Sequence, residues 1–114
     1  MTQIKTNIRD SINMAYNDAL EALQGFLVED RAIEKTEQAA QLIAALFREG
    51  HKVLICGNGG SCCDGMHFAE EFTGRFRNDR PALPVISLSD PSHITCVGND
   101  YGFENIFSRG GEAY

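Results

Sequence analysis

Over the first fifty residues the apolar positions recur every three or four places. Ile4, Ile8, Ile12, Ala15, Ala19, Leu23, and Phe26 or Leu27 share one helical face. About 25 residues in that pattern make a rod of roughly 38 Å. Asp30 is a candidate N-cap for a second helix, which carries Ile33, Ala40, Ile43 or Ala44, and Phe47 on one face and stops at Gly50. The short link between the two predicts an antiparallel helical hairpin. Its first stripe is long for any core this chain builds, so it is expected to pack against another subunit rather than on its own domain.

Beyond residue 50 the period changes. Residues 52–56 form a short apolar run with β-branched Val53 and Ile55, which predicts a strand covered on both faces. Gly57, Gly59 and Gly60 then permit a sharp turn and close approach of backbone to a ligand. Ser61 with Asp64 three places on has the form of a capping box, which sets a helix start at about Ser61. The first turn of such a helix aims unpaired N–H groups and a partial positive charge at the glycine turn, favouring an anion or a polyol oxygen. His67 and Glu71, four apart, share a face of this helix, with Glu70 on a different one.

Residues 78–81 read as a loop, and Pro84 opens a second strand at 85–88. Strand, helix and strand predict a right-handed parallel βαβ unit, with ligands gathering outside the carboxyl ends of the strands. Polar clusters at 58–61 and 89–92 fall there. A short helix is expected over 92–97, a turn at Asn99–Asp100, and a further helix start over 103–109 that Gly110 and Gly111 interrupt. Two apolar parallel strands are too few for a stable sheet, which usually has about 4–6. The expected architecture is therefore α/β: a helical hairpin over 1–50, then over 51–114 the first half of a doubly wound parallel αβα sandwich. On this reading the chain is a fragment of a larger domain.

Composition narrows the function. Hydrophobic content of 43% and charged content of 23% are those of an ordinary globular protein. A net charge of −6 argues against nucleic acid or an acidic membrane surface as partner. No apolar run approaches the roughly 20 residues that span a bilayer, and residues 1–5 lack a signal-peptide core, so a cytoplasmic address is expected. Cys56, Cys62, Cys63 and Cys96 form no metal-finger spacing and are expected to be reduced, buried small hydrophobes. Cys62 stands nearest the helix N-terminus, where a thiol is most readily activated; packing is the preferred role.

Glycine spacing alone does not decide the chemistry. The dinucleotide fingerprint needs glycine where Cys62 stands, and the Walker pattern needs Gly-Lys-Ser/Thr. An ordinary strand-to-helix connection with a solvated histidine and glutamates fits the spacing equally well. The wording of the segment says more. CGNGGSCCDGMHFAEEFTGRFR, then RP and SLSDPSHITCVGNDYGFENIFSR, closely resembles the phosphoheptose isomerases of the sugar isomerase (SIS) family. The likeness is dense from Cys56 to Arg109. It departs at Cys62, often histidine in close relatives, and at Gly110–Gly111, an aromatic–aliphatic pair there; the family's C-terminal half has no counterpart.

That resemblance implies an aldose–ketose isomerase converting sedoheptulose 7-phosphate to D-glycero-D-manno-heptose 7-phosphate through an enediol, the first step toward the heptose of lipopolysaccharide core. It implies Glu71 as the catalytic base and Asn58, Gly59, Gly60, Ser61, Glu71, Arg75, Asn99 and Asp100 as substrate-binding, Arg75 supplying a guanidinium for an anion. Glu70, Arg77, Arg80 and His93 are read as structural or solvated. Zinc is implied at His67 and Glu71, its remaining ligands lying outside this chain, and so is a homotetramer built partly through the N-terminal helices. Taken alone, the 114 residues are expected to be inactive. Two other readings stand beside this one: a non-enzymatic SIS module binding a sugar phosphate or a protein partner, and a helical hairpin that only oligomerises. The intact site motif, Glu71 above all, favours the isomerase.

Overall fold

The computed structural model describes residues 7–29 and 31–114; Ile4, residues 1–5 and the candidate cap Asp30 lie outside them. Two compact units are present, Met1–Leu42 and Ile43–Tyr114. The first holds helix α1 (Ile8–Val28) and the start of α2 (Ala32–Arg48). Asn7 caps α1, its side chain accepting from the Arg9 N–H at 3.1 Å. The helix has 21 residues rather than the expected 25 or so, a length of about 32 Å. Arg31, at φ 71°, turns the chain into α2, and Gly50, at φ 81°, ends it as expected.

Every residue of α1 is exposed, including Ile8, Ile12, Leu23, Phe26 and Leu27 of the stripe. In α2 the apolar residues Ile43, Leu46 and Phe47 belong to the second unit and are half-buried there. The Phe47 ring stands 5.6 Å from that of Phe72.

In the second unit β1 (Val53–Ile55) pairs in parallel with β2 (Val85–Ser87), in the register Val53 with Val85, Leu54 with Ile86 and Ile55 with Ser87. The connecting helix α3 (Gly60–Thr73) lies on both strands. Small residues make that approach possible: a Cβ on Gly65 would stand 3.6 Å from Ile55 Cγ1 and 3.8 Å from Ser87 Oγ, and Ala69, one turn on, is also buried. Helix α4 (Pro91–Tyr101) and a 3-10 turn (Phe103–Asn105) follow, then α5 (Ser108–Ala113). Val85 and Ile106, 3% and 2% exposed, anchor the small core.

Three expectations are corrected here. Asn99 and Asp100 sit in α4 rather than at a turn, because the helix runs on to Gly102, whose φ of 93° suits glycine alone. Gly110 and Gly111 do not interrupt a helix; they lie within α5. Gly110 is buried, and a Cβ there would come 3.3 Å from Leu88 and 3.4 Å from His93, so close packing offsets its poor helix propensity. The four cysteines are free thiols but not buried: Cys56, Cys63 and Cys96 are exposed and Cys62 is intermediate. Strand β1 ends at Ile55, which puts Cys56 in the turn rather than the sheet.

Candidate active site

The turn between β1 and α3 is tighter than its glycine count suggested. A Cβ on Gly57 would sit 2.6 Å from the backbone carbon and oxygen of Ser61, so glycine is required for the chain to double back. Gly59, at φ 57°, takes the N-cap position, and α3 starts at Gly60. The capping box expected at Ser61 and Asp64 is absent. Ser61 is already inside the first turn, its N–H donating to Asn58 O at 3.1 Å, and no side chain caps the helix. The left-handed glycine does the cap's geometric work. Asn58, Gly59, Gly60 and Ser61 are all exposed around this turn.

Two turns into α3 are His67 and Glu71. They lie two residues past Gly65 and Ala69, about 200° around the helix, and so face away from the strands. His67 Nε2 and Glu71 Oε1 are 3.0 Å apart, with the Glu71 side chain 31% exposed and that of His67 73%. Glu70, expected on a separate face, also brings its carboxylate to the pair; the ligating atoms of His67, Glu70 and Glu71 all lie within 4.8 Å of one another. Positions i+3 and i+4 both neighbour i on a helix, which is why Glu70 reaches.

One imidazole and two carboxylates are donors that suit zinc. Two ligands of a tetrahedral ion at about 2.0–2.1 Å stand roughly 3.3 Å apart, close to the His67–Glu71 separation. The residues present therefore fit part of a metal site.

Asn99 and Asp100 are exposed near the end of α4. The Asp100 carboxylate accepts from Asn99 Nδ2 at 2.9 Å and from the Cys96 thiol at 3.5 Å. Those contacts with Asp100 push the Cys96 pKa up, the hydrogen bond first and the negative charge second. Asp90 caps α4, accepting from Ser92 Oγ at 2.6 Å and His93 N at 2.8 Å; these bonds, the hydroxyl's leading, hold its carboxyl below the usual range. Arg75 is exposed just beyond α3, with no hydrogen bond or ion pair among the described residues.

Two features escaped the sequence reading. A cavity of about 310 Å³ opens at the carboxyl end of β2, lined by Ser87, Leu88, Asp90, His93, Gly110 and Tyr114. Buried His93 Nε2 has no partner among the described residues. None of the cavity's lining residues belongs to the His67–Glu71 cluster, so the two are separate features. The second is Arg80, read as a solvated charge. It is half-buried and donates to the backbone oxygens of Phe72, at 2.8 Å, and Glu71. Proximity of RP to the helix end was the available signal; which carbonyls it would meet was not in the pattern.

The chain is similar to known phosphoheptose isomerases. The phosphoheptose isomerase of Fusobacterium nucleatum is 63% identical over 100 residues, covering 88% of this chain and 52% of that protein. That of Vibrio cholerae is 54% identical over 105 residues, covering 92% and 55%. The solved phosphoheptose isomerase of Neisseria gonorrhoeae superposes with a TM-score of 0.83 at 35% identity, over 94% of this chain and 54% of that one. The chain thus spans about half the length of the relatives it matches. The SIS domain family matches residues 15–113, which with the shared strand–turn–helix places this chain in the SIS domain family.

Proposed function

We propose that this chain supplies the first half of the active site of an aldose–ketose isomerase acting on sedoheptulose 7-phosphate. Carrying the reading is Glu71, a half-buried carboxylate on the helix that opens at an anion-ready glycine turn, its Oε1 3.0 Å from His67 Nε2. Moving a carbonyl between C1 and C2 requires a base that takes a proton from carbon and returns it to the neighbouring carbon, through an enediol. Glu71 is that base, with His67 beside its Oε1. Backbone and side chains of Asn58, Gly59, Gly60 and Ser61 receive polyol oxygens. Arg75 pairs with an anionic group, and Asn99 and Asp100 bound the sugar side.

His67 and Glu71 are the residues that would hold zinc, which when bound polarises a carbonyl as a Lewis acid. Residues 1–50 serve oligomerisation, as a homotetramer, through the exposed α1 stripe. No described helix is long and apolar enough to cross a membrane; the proposed address is the cytoplasm, and the proposed pathway is that of lipopolysaccharide heptose. The test joins this chain to the second half of the Fusobacterium nucleatum relative and assays the heptulose phosphate. Glu71→Gln is expected to lower turnover by at least about two orders of magnitude with substrate binding retained, and Glu70→Gln to be mild. Near-normal turnover in Glu71→Gln would sink the assignment and leave a non-enzymatic SIS module as the better reading.

A further inference from the structure

We infer that Arg80 is a positioning residue for Glu71: its guanidinium seals the open end of α3 through the carbonyl of Glu71 itself, and so holds the carboxylate against His67. This rests on Glu71 being the working group of the site. Helix α3 ends at Thr73, with the Gly74 N–H donating back to Glu70 O at 2.7 Å. The carbonyls that follow, of Glu71 and Phe72, lose their partners one turn on, as at any helix end. Arg80 replaces both, through Nη2 to Glu71 O and Nη1 to Phe72 O, while the Leu83 N–H adds a second bond to Phe72 O at 3.0 Å.

Three further observations fit a clamp rather than a chance contact. Arg80 is half-buried although it stands in a loop. Its guanidinium lies 5.9 Å from the centroid of Phe72, and Phe72 meets Phe68 at 4.8 Å and Phe47 at 5.6 Å in tilted ring contacts, which hold the ring the arginine leans on. A cation at this end also meets the negative pole of the helix. Thr73 carries no such load, its hydroxyl turning back to Ala69 O at 3.0 Å. Glu71 is therefore held at two points: its backbone oxygen by Arg80 and its side chain by His67, one turn earlier. Without the first, the last turn frays, and the direction of the Glu71 Cα–Cβ bond frays with it. Lysine reaches one carbonyl at a time and lacks the planar fork, so it restores only part of the clamp.

The test reads the side chain, not turnover, so it stands apart from the fate of the isomerase assignment. In the 114-residue chain, NMR couplings across the Glu71 χ1 bond and the cross-relaxation between the His67 ring and the Glu71 side-chain methylenes are measured. The wild type is expected to show one Glu71 rotamer and a strong cross-peak. Arg80→Gln is expected to average the rotamer and weaken the peak severalfold, and Arg80→Lys to fall between, with overall helicity unchanged in the lysine variant. A purely structural anchor for residues 78–81 predicts lower thermal stability with the Glu71 signals unmoved. That outcome, or a Glu71 already averaged in the wild type, overturns the proposal. Should Arg80→Gln fail to fold, the lysine variant decides: Glu71 signals identical to wild type reject the clamp.

Discussion

Alanine at Gly57 puts a methyl group where Ser61 already stands. The new Cβ would lie 2.6 Å from both the carbonyl carbon and oxygen of Ser61 and 2.7 Å from its Cβ. These are mostly backbone atoms of the first turn of α3, so no side chain can swing aside, and the turn must open by most of an ångström. Overpacking of this kind costs about 1–3 kcal/mol. Gly60, three residues on, is the control: it begins α3, its φ is not positive, and a Cβ there meets nothing within 4 Å. Gly60→Ala should be neutral or stabilising by up to about 1 kcal/mol, through lower chain entropy when unfolded. Urea unfolding followed by circular dichroism separates the two. With a slope of about 2 kcal/mol per molar, a loss of about 2 kcal/mol lowers the midpoint by about 1 M. Gly57→Ala unfolding at the wild-type midpoint, or Gly60→Ala falling as far as Gly57→Ala, would refute the account of the turn.

Two other predictions concern ionisable groups. The raised pKa of Cys96 means that the folded state holds the thiol proton more tightly than the unfolded chain does. Its contribution to stability is present below the unfolded thiol's pKa and lost as pH rises through the folded one. Alkylation of Cys96 mapped by mass spectrometry should therefore need a higher pH in the wild type than in Asp100→Asn; equal profiles in the two would count against the thiol–carboxylate contact. In a zinc titration the 114-residue chain should bind weakly, since a complete site has three or four protein ligands, and His67→Ala should weaken it further. Tight stoichiometric binding would mean that further ligands take part, Glu70 being the first to replace.

Much of this protein was legible in its sequence because the information is local. A stripe with a helical period reads as a helix whether or not its partner is present, which is why α1 and α2 fall where the pattern put them. The run from Val53 to Ile55, the glycines after it and the four-residue spacing of His67 and Glu71 define a strand, a turn and one face of a helix by backbone geometry alone. What the sequence could not decide was every outcome that depends on a distant partner. Gly110 and Gly111 look like helix breakers until Leu88 and His93 close around Gly110. Asn99 and Asp100 look like a turn until the helix from Pro91 is seen to continue to Tyr101. Arg80 looks like a solvated charge until the end of α3, seven residues earlier, presents two carbonyls to it. The α1 stripe reads as a helix from its period alone, but periodicity shows which face is apolar and not what covers it. Local propensities are worth tenths of a kcal/mol to about 1 kcal/mol per residue. A buried contact or a satisfied carbonyl is worth as much or more, and only the tertiary structure says which residues have one.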